Sequence, residues 1–137
     1  MTIPEKIYSR ILKVFPTLLS MEEGDAMKLK AEGFMPLSLD VLEQSSKKTV
    51  IYLAHNSVQN GDLMADPLMK IMLNNEAKTA QSMLYQNDYA GFYQEAIFYD
   101  DDDKLKCIPS LMREQNEFLD MWTNNLIEQG FARKEPS

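Results

Sequence analysis

"LSLDVLEQSSKKTVIYLAH", residues 37–55, decides how this chain folds. Its first eight residues set Leu37, Leu39 and Val41 on one side and Ser38 and Asp40 on the other, the two-residue period of a half-buried strand. Its last eight, "KTVIYLAH", are a β-branched and aromatic run, which suits a pleated surface. Between them, residues 44–48 hold no apolar side chain and form a polar hairpin turn. Two strands joined so closely must run antiparallel, because a parallel pair needs a crossover of about a dozen residues or more. The chain therefore reads as a meander.

Upstream, "AMKLKAE" (26–32) alternates too, with Met27, Leu29 and Ala31 against Ala26, Lys28 and Lys30. Downstream, "SVQNGDLMAD" (57–66) is expected to be a ten-residue polar loop, with Asn60-Gly61 as its turn and Asp66-Pro67 as its end. "LMKIML" (68–73) is a fourth strand, and Asn74-Asn75 turns into "KTAQSMLYQ" (78–86). Residues 87–91 turn again into "FYQEAIFY" (92–99), expected as one strand. A first helix over 4–15 follows from Pro4 and the stripe of Ile7, Ile11, Val14 and Phe15, with Pro16 ending it. A last helix over 111–129 follows from Leu111, Phe118, Leu119, Trp122, Leu126 and Ile127, with Ser110 as N-cap and Gly130 at C′.

The predicted class is α+β: an antiparallel meander of about five or six strands, flanked by an N-terminal and a C-terminal helix that cover one face. Residues 1–137 read as a single domain, with an acidic loop at 100–104 and a flexible tail at 131–137.

Composition narrows function by exclusion. Hydrophobic residues are 45% and charged residues 26% of the chain, which is ordinary for a globular protein. No window approaches the roughly 18 apolar residues of a membrane span, and "MTIPEKIYSR" lacks the apolar core of a secretory signal. One cysteine, Cys107, rules out an internal disulfide framework and fits a cytoplasmic location. With His55 as the one histidine, a structural zinc site within the chain is not expected, and neither is any cofactor. The net charge of −7 argues against direct nucleic-acid binding and is compatible with a protein partner, above all a basic one.

Catalytic patterns are thin. There is no GxSxG, P-loop or GxGxxG, and five glycines leave little for a phosphate cradle. A Cys107–His55 pair is outweighed by the ordinary role of a lone cysteine as a small buried hydrophobe. The sharpest enzymatic alternative is a metal-dependent hydrolase or nuclease using Asp66, Glu76 and Lys78. Against it, Glu76 falls at a turn, and a solvated hairpin end is the better reading. "YDDDDKLK" (99–106) lacks the glycine and distal glutamate of a calcium loop and reads as an exposed linker before the last helix. The ten methionines are read as packing, with Met27, Met69, Met83 and Met121 at core positions.

"YQNDYAGFYQEA" (85–96) interleaves rings with hydrogen-bonding groups. As a strand end, a turn and a second strand, it puts Gln94 on one face and Glu95 on the other. One of them is expected to be buried, with Tyr85, Gln86 or the Asn87-Asp88 turn as partners. The alternative is that the second sheet face, with Tyr93, is kept for a partner or ligand.

Together with "NGDLMADPLMKIML" (60–73), that stretch resembles an uncharacterised family of small acidic proteins carried on bacterial plasmids, conjugative elements and phages. The resemblance spans 27–99 and rests on His55, Asn60, Asp62, Asp66, Asn87, Asp88, Tyr93, Gln94 and Glu95. It implies an accessory role on mobile DNA and no catalytic residue. The leading expectation is a non-enzymatic protein-binding or regulatory module. The nuclease and an acidic mimic of DNA are the alternatives, and the sequence does not fix the oligomeric state.

Overall fold

In the computed structural model, which describes residues 1–132, the chain opens on a reciprocal cap. The Thr2 hydroxyl accepts the Glu5 N–H at 3.3 Å, and the Glu5 carboxylate accepts the Thr2 N–H at 2.9 Å. With Pro4 in the first turn, this starts α1 (Ile3–Val14), which buries Ile7, Tyr8, Ile11 and Val14. A 3₁₀ turn (Leu18–Ser20) follows. The Gln44 amide donates to the carbonyls of Leu18 at 3.0 Å and Met21 at 2.9 Å, tying that turn to the sheet.

Six strands come next: β1 (Ala26–Leu29), β2 (Leu37–Gln44), β3 (Lys48–Gln59), β4 (Asp62–Asn74), β5 (Thr79–Asn87) and β6 (Phe92–Glu95). They pair in chain order as an antiparallel meander, as expected. A separate hairpin, β7 (Ile97–Tyr99) and β8 (Leu105–Cys107), leads to α2 (Pro109–Glu128).

Both helices lie on one face of the sheet. Leu39, Ile51, Leu53, Met69, Ile71 and Leu73 are fully or almost fully buried beneath Ile7, Ile11 and Phe15 on one side and Leu119, Trp122 and Leu126 on the other. Arg10 of α1 donates to the Asp120 backbone carbonyl at 2.8 Å and pairs with its carboxylate, fastening the helices to each other.

Several expectations change. Residues 57–66 are not a loop. β3 and β4 run on through Ser57↔Met64 and Gln59↔Asp62 to a two-residue turn at Asn60-Gly61. Both turn residues have positive φ, 52° and 84°, and this turn geometry matches strand twist. Polar side chains do not stop a strand whose backbone is paired, and the ladder only bulges between Ala54 and Asn56 to pass Asp66-Pro67.

Residues 92–99 are not one strand. The Ala96 N–H donates to Met83 at 2.8 Å and its carbonyl accepts from Ile108 at 2.9 Å, so the chain leaves the sheet there. The aspartate run is the turn of the β7–β8 hairpin rather than a linker: Asp100 accepts from the N–H groups of Asp102 and Lys104, each at 2.9 Å.

Pro109, rather than a residue after Ser110, opens α2, so Ser110 is not its cap. Gly130 does end it, at φ 94°. The N–H groups of Gly130 and Phe131 return to Ile127 and Leu126, each at 3.1 Å, a Schellman closure. Phe131 is thereby buried and is no part of a tail, while 133–137 lie outside the described residues. Met69 is buried, but Met121 faces outward at 52% exposure.

Leu53→Ala should cost about 2–5 kcal/mol in denaturant unfolding, because the packed site has little room to collapse. Met121→Ala should change stability by no more than about 0.5 kcal/mol.

Candidate functional site: the 85–96 cluster and the open sheet face

The end of β5 answers why amides and acids crowd among rings there. The Asp88 carboxylate accepts the Ala65 N–H and the Gln86 amide, each at 2.7 Å, and the Asp88 N–H donates to the Ala65 carbonyl at 2.9 Å. The Asn87 amide donates to Asp66 at 2.6 Å and approaches the Tyr85 hydroxyl at 3.5 Å, while its oxygen accepts the Ala90 N–H. Tyr89 and Ser57 share a hydroxyl contact. These bonds staple the β5–β6 turn onto β4 where the β4 ladder is bulged. The Ala65 N–H first, then Gln86, holds the Asp88 carboxyl below its ordinary value.

Gln94 and Glu95 depart from expectation: neither is buried. β6 is an edge strand, so half its surroundings are solvent. The Tyr93 hydroxyl donates to Glu95 at 3.1 Å, and Gln94 contributes its main-chain carbonyl to the Gln115 amide at 2.9 Å.

The buried polar group is Gln115 itself, on α2. Its side-chain oxygen accepts from the Ser82 hydroxyl at 2.7 Å, and neighbouring Asn116 accepts the Ser82 N–H at 2.7 Å. β5 bulges at this point, with Ser82 opposite Ile71 and Leu84 opposite Lys70. The signal in the sequence was Gln115 one helical turn before Leu119, on the apolar stripe.

His55 is buried. Its Nδ1 hydrogen-bonds to the Pro36 carbonyl at 3.3 Å, and its ring meets Trp122 at 5.6 Å and Phe131 at 5.7 Å. Burial lowers its pKa, against the raising influence of the Pro36 and Met35 carbonyls and the Asp66 charge. Asn60 and Asp62 stand at the exposed hairpin tip. Cys107 is exposed on β8 rather than buried.

The nuclease set does not assemble. Asp66 lies at the Asn87 end of β5, and Glu76 and Lys78 precede its opposite end. The extended residues 67–74 separate them by on the order of 25 Å, whereas ligands of one ion sit within about 2–2.6 Å of it. Among the described residues, no group of three or more His, Cys, Asp or Glu side chains is placed to hold a metal.

Among the described residues, no helix lies on the second sheet face. One row crosses all six strands as Ala26, Asp40, Tyr52, Lys70, Leu84 and Glu95. A parallel row runs Lys28, Ser38, Ala54, Leu68, Gln86 and Tyr93, and a shorter one Glu43, Val50, Met72 and Gln81. The pair Val58 and Leu63 extends the face to the hairpin tip at 72% and 68% exposure, and Tyr93 is 59% exposed. Two hollows are described, one beside Tyr85, Gln94, Gln115 and Phe118 and one beside Lys48, Met72 and Glu76. Each is about 130 Å³ and shallow, below the roughly 300 Å³ at which ligand pockets begin.

Residues 6–132 match a described domain of unknown function, DUF6908. The chain belongs to that family. The match takes in most of α1, all of α2 and every strand, a wider span than the 27–99 of the resemblance. No curated protein and no solved structure matches the chain. The family thus supplies a boundary and no chemistry. No described helix is long and apolar enough to cross a membrane.

Asp88→Ala should cost about 1 kcal/mol by leaving the Ala65 N–H without its acceptor. A carboxyl lowered in the fold stabilises above its ordinary value and ceases to as pH falls through the lowered one. The gap between wild type and variant in urea unfolding should therefore close on strong acidification. His55 behaves oppositely in charge but alike in direction: the unfolded chain takes up the proton first, so stability falls as pH drops below about 6.5. His55→Phe should flatten that slope in melts between neutral and mildly acidic pH.

Proposed function

We propose that this chain is a non-enzymatic protein-binding module whose binding surface is the open face of its sheet. The observation that carries the reading is the one-sided placement of the helices. A six-stranded sheet with α1 and α2 on one face leaves the half-buried Tyr52, Leu68 and Met72 on the other, beside the buried Ala54 and Leu84, and the strongly exposed Val58, Leu63 and Tyr93 extend it. An exposed face of this kind, with apolar groups interspersed with charge and strongly exposed rings and aliphatics at its end, marks interaction sites in monomeric folds. The two hollows described are too small for a substrate of ordinary size, and the carboxylates that suggested a nuclease lie apart.

An accessory role on bacterial mobile DNA is the setting that the resemblance of 60–73 and 85–96 implies, a cytoplasmic location is what the single cysteine fits, and both are part of this reading. By overall charge alone, −7 favours a basic partner, but the open face carries Lys28, Lys48 and Lys70 against Asp40, Glu43 and Glu95 and is itself neutral.

The test is cross-linking of the tagged chain in cells of its source organism. Leu63→Glu and Tyr93→Glu should each reduce recovery of its partners about tenfold. Met121→Glu, on the outer side of α2, should not. Equal recovery by all four proteins would overturn the reading.

A further inference from the structure

The open face has a charge pattern that selects its occupant. We propose that a second copy of this chain packs on it, related by a two-fold axis running along β3; this rests on the open face being a binding surface. The face carries Lys28, Lys48 and Lys70 against Asp40, Glu43 and Glu95, so it is neutral while the whole acid excess of seven lies elsewhere. Two copies of a chain this acidic repel across their other surfaces and not across this one. Lys48 and Glu43 already pair within the face at 3.4 Å, which leaves the central row to choose its partner.

That row runs acid, Tyr52, Lys70, Leu84, acid, with Asp40 and Glu95 each two strands from Lys70. Asp40 and Glu95 lie two strand spacings, about 10 Å, from Lys70, and among the described residues Lys70 forms no ion pair with either. Rotation about an axis along β3 reverses the row over itself. Lys70 then lies over Asp40 of the partner subunit, Asp40 over Lys70 of the partner subunit, and Tyr52 meets its own copy. The contact is self-complementary, as a two-fold interface must be. An axis across the strands would instead set Lys70 over its own copy and Asp40 over its own copy, which like charges oppose. Centring on β3 overlaps five strands, and centring on β5 would overlap three. Aligned sheets about 10 Å apart would bury on the order of 600–800 Å² of each copy, the size of a standard specific interface.

The experiment is light scattering on the eluting full-length chain from micromolar to tenth-millimolar concentration. Wild type should show twice the 15.8 kDa chain mass. Asp40→Lys and Lys70→Asp should each weaken the dimer about tenfold or more, and the double variant should restore it, because reversed charges meet reversed charges. Circular dichroism melts establish that each variant is folded. Three results overturn the proposal: a monomeric wild type, a dimer that neither single variant weakens, or a double variant that stays monomeric. A monomer whose cellular partners are still lost on Leu63→Glu removes the second copy alone. A dimer together with partners indifferent to Leu63→Glu and Tyr93→Glu removes the wider binding role and leaves the pairing.

Discussion

The pairing of β3 with β4 is the interaction from which the other contacts hang. The two strands are 12 and 13 residues long, and their ladder runs from Lys48↔Asn74 to Gln59↔Asp62. Cross-strand neighbours Ile51↔Ile71 and Leu53↔Met69 form the floor on which α1 and α2 rest. Because side chains alternate, the same ladder that sends these residues to the helices sends Tyr52, Ala54, Leu68 and Lys70 to the opposite side. The core and the open face are two consequences of one register. A slip of one residue would exchange them entirely.

Where the ladder is irregular, polar chemistry collects. The bulge beside His55 lets Asp66-Pro67 pass and leaves the Ala65 backbone to Asp88. The bulge between Ser82 and Leu84 leaves the Ser82 N–H to Asn116 on α2. At both of these irregularities a backbone group is answered by a side chain from a neighbouring element, as buried amides require, whereas at the third, between Val41 and Glu43, Val41 bonds to the backbone of Gly24 and Asp25. The cluster around 85–88 is thus structural in its bonds, while the rings at 89, 92 and 93 stay outside.

Much of the fold was legible because period and turn chemistry are local. Leu37, Leu39 and Val41 announce β2, and Asn60-Gly61 announces its turn, although polarity alone points to loop on either side of it. Ser57, Gln59 and Asp62 have the character of loop residues, but pairing with the opposite strand and not polarity settles the matter. Gln94 and Glu95 differ from expectation for another reason. Their burial depends on β6 being the last strand of the sheet, and nothing local in "FYQEAIFY" says that the chain departs at Ala96 or that Ile108 returns to it. The partners of Ser82 were illegible too, since Gln115 lies more than thirty residues away. The open face was half visible as an alternation with apolar groups on both sides. Its neutrality emerged only when register placed Asp40, Lys70 and Glu95 in one row.

The sheet tapers. Its two outer strands, β1 and β6, have 4 residues each, against 12 and 13 in the middle. A rim so short offers few free backbone groups to a stray extended segment, and Lys28 and Glu95 stand on those rims. Sideways growth into fibres is therefore discouraged by strand length alone. A protein built this way can carry a sheet face free of helices without also presenting the long bare edge along which open-ended stacking would run.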